Sequence, residues 1–297
     1  MRLTLLLVAL GALTAPLAAQ QNWDTIQIRT VKVADGVYML MGSGGNIGVS
    51  AGPNGVVLID DQYAPLTDKI RAAVAAIHPG PIRFLLNTHW HPDHTGGNEN
   101  MGKAGVVLVA HENVRRRMSA EQFIAAFGMR VPPSSEGALP VVTFTDAVTF
   151  YLNGDSINAF HVAPAHTDGD AVVYFRQANV VHMGDIYFNG MYPFIDVASG
   201  GSVDGVIPAL DRVLGMTGRN TKFIPGHGPL SSRSQLDTYR GMLVTVRDRV
   251  RNLVRQGKTL EQVQAAKPTA EFDATWGGAF LKPDKFVEIL YSDLSKR

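Results

Sequence analysis

Three imidazoles and a carboxylate fall within six consecutive positions of this 297-residue chain: His89, His91, Asp93 and His94, in the stretch "THWHPDHTGG". These side chains share one chemistry, the donation of lone pairs to a borderline cation such as zinc. In an extended segment residues two apart point the same way, so His89 and His91 can grip one ion from the end of a strand predicted over 82–88. Pro92 breaks that strand, and a turn eased by Gly96 and Gly97 can aim Asp93 and His94 at a second point. The spacing suits two neighbouring ions better than one. Isolated histidines such as His78 and His111 carry no such pattern and read as ordinary packed or surface residues.

Three later residues extend the set: His166 in "PAHTDGD", Asp185 in "HMGDIYFNG" and His227 in "IPGHGPL". Each follows a predicted strand and sits among Gly or Pro, where loops gather over a sheet edge. Together the seven residues are enough for two open sites of three or four protein ligands each.

The elements that must position them can be read from apolar periodicity. Short Val- and Ile-rich runs at 31–42, 46–52 and 55–61 read as a strand meander punctuated by Gly and by the Pro53-Asn54-Gly55 turn. Leu66, Ile70, Ala73, Val74 and Ile77 then recur at helical spacing. Strands at 82–88 and 105–110 follow, with a helix over Glu112 to Phe127. A turn-rich segment at 131–140 precedes a second strand set at 141–144, 148–152, 156–162, 171–175 and 179–185. A helix at 203–214, a strand at 222–226, a helix from about Ser232 to Arg255 and further helix over Leu260 to Arg297 complete the pattern. Mixed strands followed by helix, given twice, imply an α/β chain in which two half-units pack sheet against sheet with helices outside. No linker rich in Pro, Gly and Ser divides them, so residues 20–297 read as one domain with a helical C-terminal segment from about 232.

Composition narrows the function. A chain of this length can bury about 75% of its unfolded surface, so it does not need a metal to fold, and a bound metal would serve chemistry. With no cysteine, thiolate nucleophiles, disulfides and Cys-type zinc sites are excluded. A formal net charge of +1, with charged residues at 18%, gives no field favouring nucleic acid. The Arg115-Arg116-Arg117 run reads as a solvated helix face. There is no GxSxG elbow and no HExxH helix. The run "GNENMGKA" from Gly97 fails as a phosphate loop because Ala104 stands where Ser or Thr must bind magnesium. The opening "MRLTLLLVALGALTAPLAAQ" has the layout of a secretory signal peptide over 1–19, cleaved near Ala18 or Ala19, which implies a secreted or periplasmic protein without stable membrane insertion.

The ordered set HxHxDH, His, Asp, His resembles the metallo-β-lactamase superfamily over about residues 30–230. The resemblance implies a four-layer αβ/βα sandwich of two mixed sheets with outer helices, and two Zn2+ ions per chain. It implies that His89, His91 and His166 hold the first ion, that Asp93, His94 and His227 hold the second, and that Asp185 bridges them. Asp60, ending "VVLIDD", matches the family's acid behind the metal loop and would orient a ligand.

Bound zinc lowers the pKa of its water from about 15.7 to about 7, and two ions roughly 3.5–4 Å apart can hold a bridging hydroxide while polarising a carbonyl. The expected reaction is hydrolysis of an ester or amide in a small molecule, with Asp93 and Asp185 as catalytic carboxylates. β-Lactams, thioesters in the manner of glyoxalase II, and lactones stay open as substrates. Tyr187, Asn189, Tyr192 and Ser231 are candidate neutral donors to a substrate carboxylate, since no Lys or Arg lies between Arg176 and Arg212. The glycines of "MGSGGN" at 41–46 suggest a flexible wall over the site. A di-iron oxygen-handling protein on the same scaffold is the reading from another class; such relatives usually carry an acid where this chain has His91.

Overall fold

The computed structural model describes residues 21–296, so the leader expected over 1–19 lies outside the described residues. The first half builds a meander, β1 (Arg29–Ala34), β2 (Val37–Met41), β3 (Ile47–Gly52) and β4 (Gly55–Ile59), followed by helix α1 (Thr67–Ile77) and strand β5 (Ile82–Asn87). Two short helices, α2 (Pro92–Thr95) and α3 (Asn98–Lys103), lead into β6 (Val107–His111) and α4 (Glu112–Met118). A small hairpin of β7 (Gln122–Ile124) and β8 (Met129–Val131) comes next, and β9 (Val142–Phe144) completes the first sheet in the order β1-β2-β3-β4-β5-β6-β9. Its β1 to β4 edge is antiparallel, whereas β4, β5, β6 and β9 run parallel.

The second sheet contains β10 (Ala147–Leu152), β11 (Asp155–His161), β12 (Ala171–Phe175), β13 (Val180–His182), β14 (Lys222–Ile224) and β15 (Ser231–Ser232), paired in chain order. Helix α5 (Val203–Met216) crosses between β13 and β14, the one parallel pair of this sheet. Helices α6 (Arg233–Arg255), α7 (Leu260–Ala265), α8 (Asp273–Trp276) and α9 (Pro283–Leu294) close the chain. A capping box at Ser232, with Gln235 reaching back to the cap, starts α6.

Strand alternation sorts the apolar side chains into three cores and so makes four layers. Val57, Ile59 and Leu86 face Ile157, Val173 and Ile224 between the sheets. Their neighbours Val56, Leu58 and Leu85 point the other way, onto Ile70 and Val74 of α1. On the far side Val172, Val181 and Phe223 pack against Leu210 of α5, Leu243 of α6 and Leu290 of α9. All five residues of β4 are buried, as expected for a strand covered on both faces.

Two sequence expectations are corrected. The helix read over Glu112 to Phe127 stops at Met118, and the rest is the β7–β8 hairpin, turned at Gly128 with φ +61°. Phe123 and Ile124 suit a strand, and Gly128 supplies the left-handed turn that a continuous helix would not use. The helix read over Leu260 to Arg297 is broken into α7, α8 and α9, with Pro268 between the first two and Pro283 opening the last.

Candidate metal centre

The seven residues gather where the C-terminal ends of β5, β13 and β14 meet across the seam between the sheets. β5 runs into the bend that carries His89 and His91. Pro92 then opens the single turn α2, which presents Asp93 and His94. His166 lies in the β11–β12 loop, where its backbone N–H donates to Asp170 Oδ2 at 2.6 Å and that of Thr167 donates to the same oxygen at 2.9 Å. Asp185 follows β13, and His227 follows β14. The two loops are pinned together by Asn189 N–H donating to His227 O at 2.9 Å, and the turn before β3 joins them through Asn46 N–H to Gly226 O at 2.7 Å.

The side chains form two groups that could hold a metal ion, His89, His91, His166 and Asp185 in one and Asp93, His94 and His227 in the other. Asp185 touches both, with Oδ2 at 3.8 Å from His89 Nε2 and 3.6 Å from His166 Nε2, and Oδ1 at 3.1 Å from His94 Nε2. Its Oδ2 is also 3.4 Å from His227 Nε2.

The hydrogen bonds behind the rings fix which nitrogen carries the proton. His166 Nδ1 faces the carbonyl of Phe194 at 2.7 Å, and His91 Nε2 faces Asp196 Oδ2 at 3.0 Å. His94 Nδ1 faces Asp60 Oδ2 at 2.8 Å. Each partner is an acceptor only, so each ring donates there. Thr88 gives its hydroxyl proton to Asp60 Oδ2 at 2.8 Å and therefore accepts from His89 Nδ1, 3.0 Å away. In their neutral forms all four rings thus turn a bare lone pair inward. His166 Nε2 and His91 Nδ1 meet at 2.8 Å with no proton between them in the neutral rings, an arrangement that a cation would relieve. Among the described residues the buried His89 Nε2 and Asp185 Oδ1 have no hydrogen-bond partner. The donor set, the ring orientations and these two orphaned atoms all fit a bound metal.

Charge within the cluster points the same way. Burial holds His89 neutral and pulls His166 down to about 4. Burial also opposes charge on His94 and His227, but Asp185 and Asp93 outweigh it, lifting His94 well above its ordinary value and His227 to about 9. Asp93 is held down to about 2 because His94 and His227 override the cost of burying it. Protonated His94 and His227 would balance these two carboxylates, a task that a divalent cation would do better.

Asp60 sits behind His94, fully buried, with Oδ1 accepting from Thr88 N–H at 2.7 Å. Asp196, absent from the sequence reading, plays the corresponding part behind His91. The "MGSGGN" segment is tied down and lines no part of the cavity: Gly45 N–H donates to Asp93 O at 3.1 Å, and a Cβ on Gly45 would come within 2.1 Å of the His94 ring.

A cavity of about 460 Å³ opens over Asp93, Asp185, His91 and His227. Tyr187, Asn189, Tyr192 and Ser231, the candidate substrate contacts, do not line it. Tyr187 is buried with its hydroxyl 2.6 Å from Ser231 Oγ, Tyr192 donates to Asp273 Oδ1 at 2.7 Å, and Asn189 donates to Pro229 O at 2.8 Å. These polar groups find partners within the fold on the side of the loop facing the helices. Phe188, Met191 and Phe194 of the same loop line the cavity instead, together with Tyr63. Burial, and then Asp93, hold the Tyr63 hydroxyl in its protonated form, making it a neutral donor.

Comparison with known proteins supplies the family. The chain is 24% identical over 218 residues to the 2,4-dinitroanisole O-demethylase subunit alpha of Nocardioides sp. (strain JS1661), a match covering 72% of this chain and 60% of that subunit. It is 24% identical over 187 residues to the metallo-beta-lactamase type 2 of Bacteroides fragilis, covering 59% of this chain and 68% of the relative. Among solved structures, the sec-alkylsulfatase Pisa1 from Pseudomonas sp. superposes with a TM-score of 0.68 at 19% identity, over 89% of this chain and 50% of its own. The chain therefore spans less than two thirds of the demethylase subunit and half of the sulfatase. The profile of the metallo-beta-lactamase superfamily matches residues 41–244, more than half of the sequence and all seven candidate ligands, and the chain belongs to that superfamily.

Proposed function

We propose that this protein is a dinuclear zinc hydrolase that cleaves an ester or amide carbonyl in a small molecule. The observation that carries this reading is the set of four imidazoles whose inward lone pairs are fixed from behind, beside two carboxylates and an open cavity. Five histidines and two aspartates suit zinc: His89, His91 and His166 would hold one ion and Asp93, His94 and His227 the other, with Asp185 in contact with both groups. Zinc bound there supplies Lewis acidity, lowering the pKa of water toward neutrality and polarising a carbonyl.

The chain's own groups do the rest. Asp93 lines the cavity ionised, with Oδ2 3.3 Å from His227 Nε2, where it can orient an attacking water and pass a proton to the leaving group. Asp185 fixes the spacing of the two ligand groups. Tyr63 offers a hydroxyl to the carbonyl oxygen as it gains charge.

The relatives' names cover a demethylase, a lactamase and a sulfatase, so none of them carries the bond type to this chain. A β-lactam is an amide that this centre could open, and the Bacteroides relative favours it as a second reading. Thioesters and lactones are the alternative carbonyl substrates. The sequence of residues 1–19 supports export before the enzyme acts, which mass analysis of the mature N-terminus would test.

The deciding experiment is a hydrolysis panel of β-lactams, lactones, thioesters and phosphodiesters on protein purified without chelator, paired with metal analysis. Two zinc ions per chain and turnover of a carbonyl substrate are expected. A tightly held iron pair with oxygen consumption and no hydrolysis would replace the reading with the oxygen-handling one.

A further inference from the structure

Seven large apolar side chains stand exposed among the described residues, and three of them ring the mouth of the cavity over the metal centre: Phe127 and Met129, each 42% exposed, and Phe280, 60% exposed. The first two come from the β7–β8 hairpin and its turn. The third comes from the segment between α8 and α9. Two remote segments therefore bring apolar surface to the same opening, where water would otherwise favour polar residues.

The rings run inward without a break. Phe280 lies 5.3 Å from Phe127, Phe127 lies 4.8 Å from Phe194, and Phe194 stacks on His91 at 5.7 Å. On the opposite wall Phe188 stacks on His227 at 5.2 Å, with planes 11° apart. Aside from Tyr63, polar groups line the cavity only at its floor, where His91, Asp93, Asp185 and His227 lie, and among the described residues no Lys or Arg lines it. Arg130, on the hairpin itself, is turned away to Glu121 at 2.8 Å. A substrate carboxylate would thus find no protein cation outside the metal centre, whereas an aryl or alkyl group would be covered on several sides.

We propose that this cavity selects neutral substrates bearing a sizeable apolar acyl or aryl group, gripped by the β7–β8 hairpin and Phe280 while the scissile carbonyl rests on the metal centre. The substrate class rests on the hydrolase reading above; the apolar grip does not.

The experiment has two arms. With zinc-loaded protein, kcat/KM is measured for p-nitrophenyl acetate, butyrate and octanoate, and for p-nitrophenyl valerate against the anionic p-nitrophenyl hemiglutarate. At least a tenfold rise from acetate to octanoate, and at least a tenfold preference for valerate, are expected, since each buried methylene contributes up to about a fourfold factor. In Phe127→Ser/Phe280→Ser the octanoate-to-acetate ratio should fall at least tenfold. A flat chain-length series, or preference for the hemiglutarate, would overturn the proposal.

In the second arm, chelated protein is titrated with the neutral fluorophore N-phenyl-1-naphthylamine. One saturable site per chain is expected, displaced by octanamide but not by glutarate, and weakened at least tenfold in the double variant. Absence of such a site, or binding undiminished in a variant whose circular dichroism matches the parent, would also overturn it. If no p-nitrophenyl ester and no member of the β-lactam, lactone and thioester panel is turned over while the fluorophore arm behaves as expected, the hydrolase reading fails and the apolar grip stands.

Discussion

Asp196 Oδ2 lies 3.0 Å from His91 Nε2, on the far side of the ring from the nitrogen that meets His166. The carboxylate holds the proton on Nε2 and so keeps Nδ1 free for a metal. Asp196→Ala should lower zinc affinity by about 10–100-fold, the usual cost of losing such a partner. Asp196→Asn, which can still accept through its amide oxygen, should lose less. Competition with a chromophoric chelator measures both, and equal affinities in all three proteins would remove Asp196 from this role.

Gly45 is constrained in a different way. A methyl group there would overlap the His94 ring, which Asp60 fixes from behind, so the ring cannot step aside without giving up that bond. Gly45→Ala should therefore weaken retention of the ion at His94 and cut turnover by about tenfold or more, as a displacement of about 1 Å at a reacting centre can do. Far-UV circular dichroism should stay unchanged. Full metal content with full activity would show that the loop yields at little cost.

The three apolar cores owe nothing to a metal. Chelation should abolish activity while leaving the far-UV spectrum of the sheets and helices intact. Loss of that spectrum would mean that ligand repulsion at the seam outweighs the packing of Val57, Ile59, Val173 and their neighbours.

The metal-free protein should also have a distinctive pH dependence. His227 is raised from 6.5 to about 9, mainly by Asp185 against the opposing effect of burial. A group whose pKa rises on folding stabilises while protonated, so its contribution is complete below about 6.5 and lost as pH climbs through about 9. Asp93 and Asp185, both lowered, contribute above the ordinary carboxylate value and lose that contribution in acid. His89 and His166, lowered by burial, instead add stability as pH rises to about 6.5 and nothing further above it, so urea midpoints of chelated protein should fall between pH 7.5 and pH 9.5. Zinc-loaded protein should not show the same fall, because the metal displaces the protons. Parallel curves for the two forms would contradict the assignment.

Much of the centre was legible because chain proximity encodes it. Four donors within six residues need no tertiary information, and His166, Asp185 and His227 stand out as polar residues after apolar strands. Asp196 was invisible for the opposite reason: its partner His91 lies 105 positions away, and no local pattern marks an acid that caps a short turn while reaching a distant ring. The hairpin is hidden in the sequence because its apolar residues, unless Gly128 is taken as a turn, extend the apolar run of α4. In the loop after β13 the sequence shows the residue types but not their direction. Phe188, Met191 and Phe194 face the cavity, while Tyr187, Asn189 and Tyr192 turn back into the protein, and only packing against α6 and α8 decides which set faces where.

The candidate ligands come four from the first sheet and three from the second, in a chain with no cysteine to link the halves. Ions held there would act as a rivet through the seam, and their removal should first loosen what the rivet clamps. The amides of Asn46, Asn189 and Gly226, whose hydrogen bonds lace the neighbouring loops, should then exchange with deuterated solvent sooner than those of β4 or β12. The cation would thereby govern local breathing at the rim while the layers beneath keep their own stability.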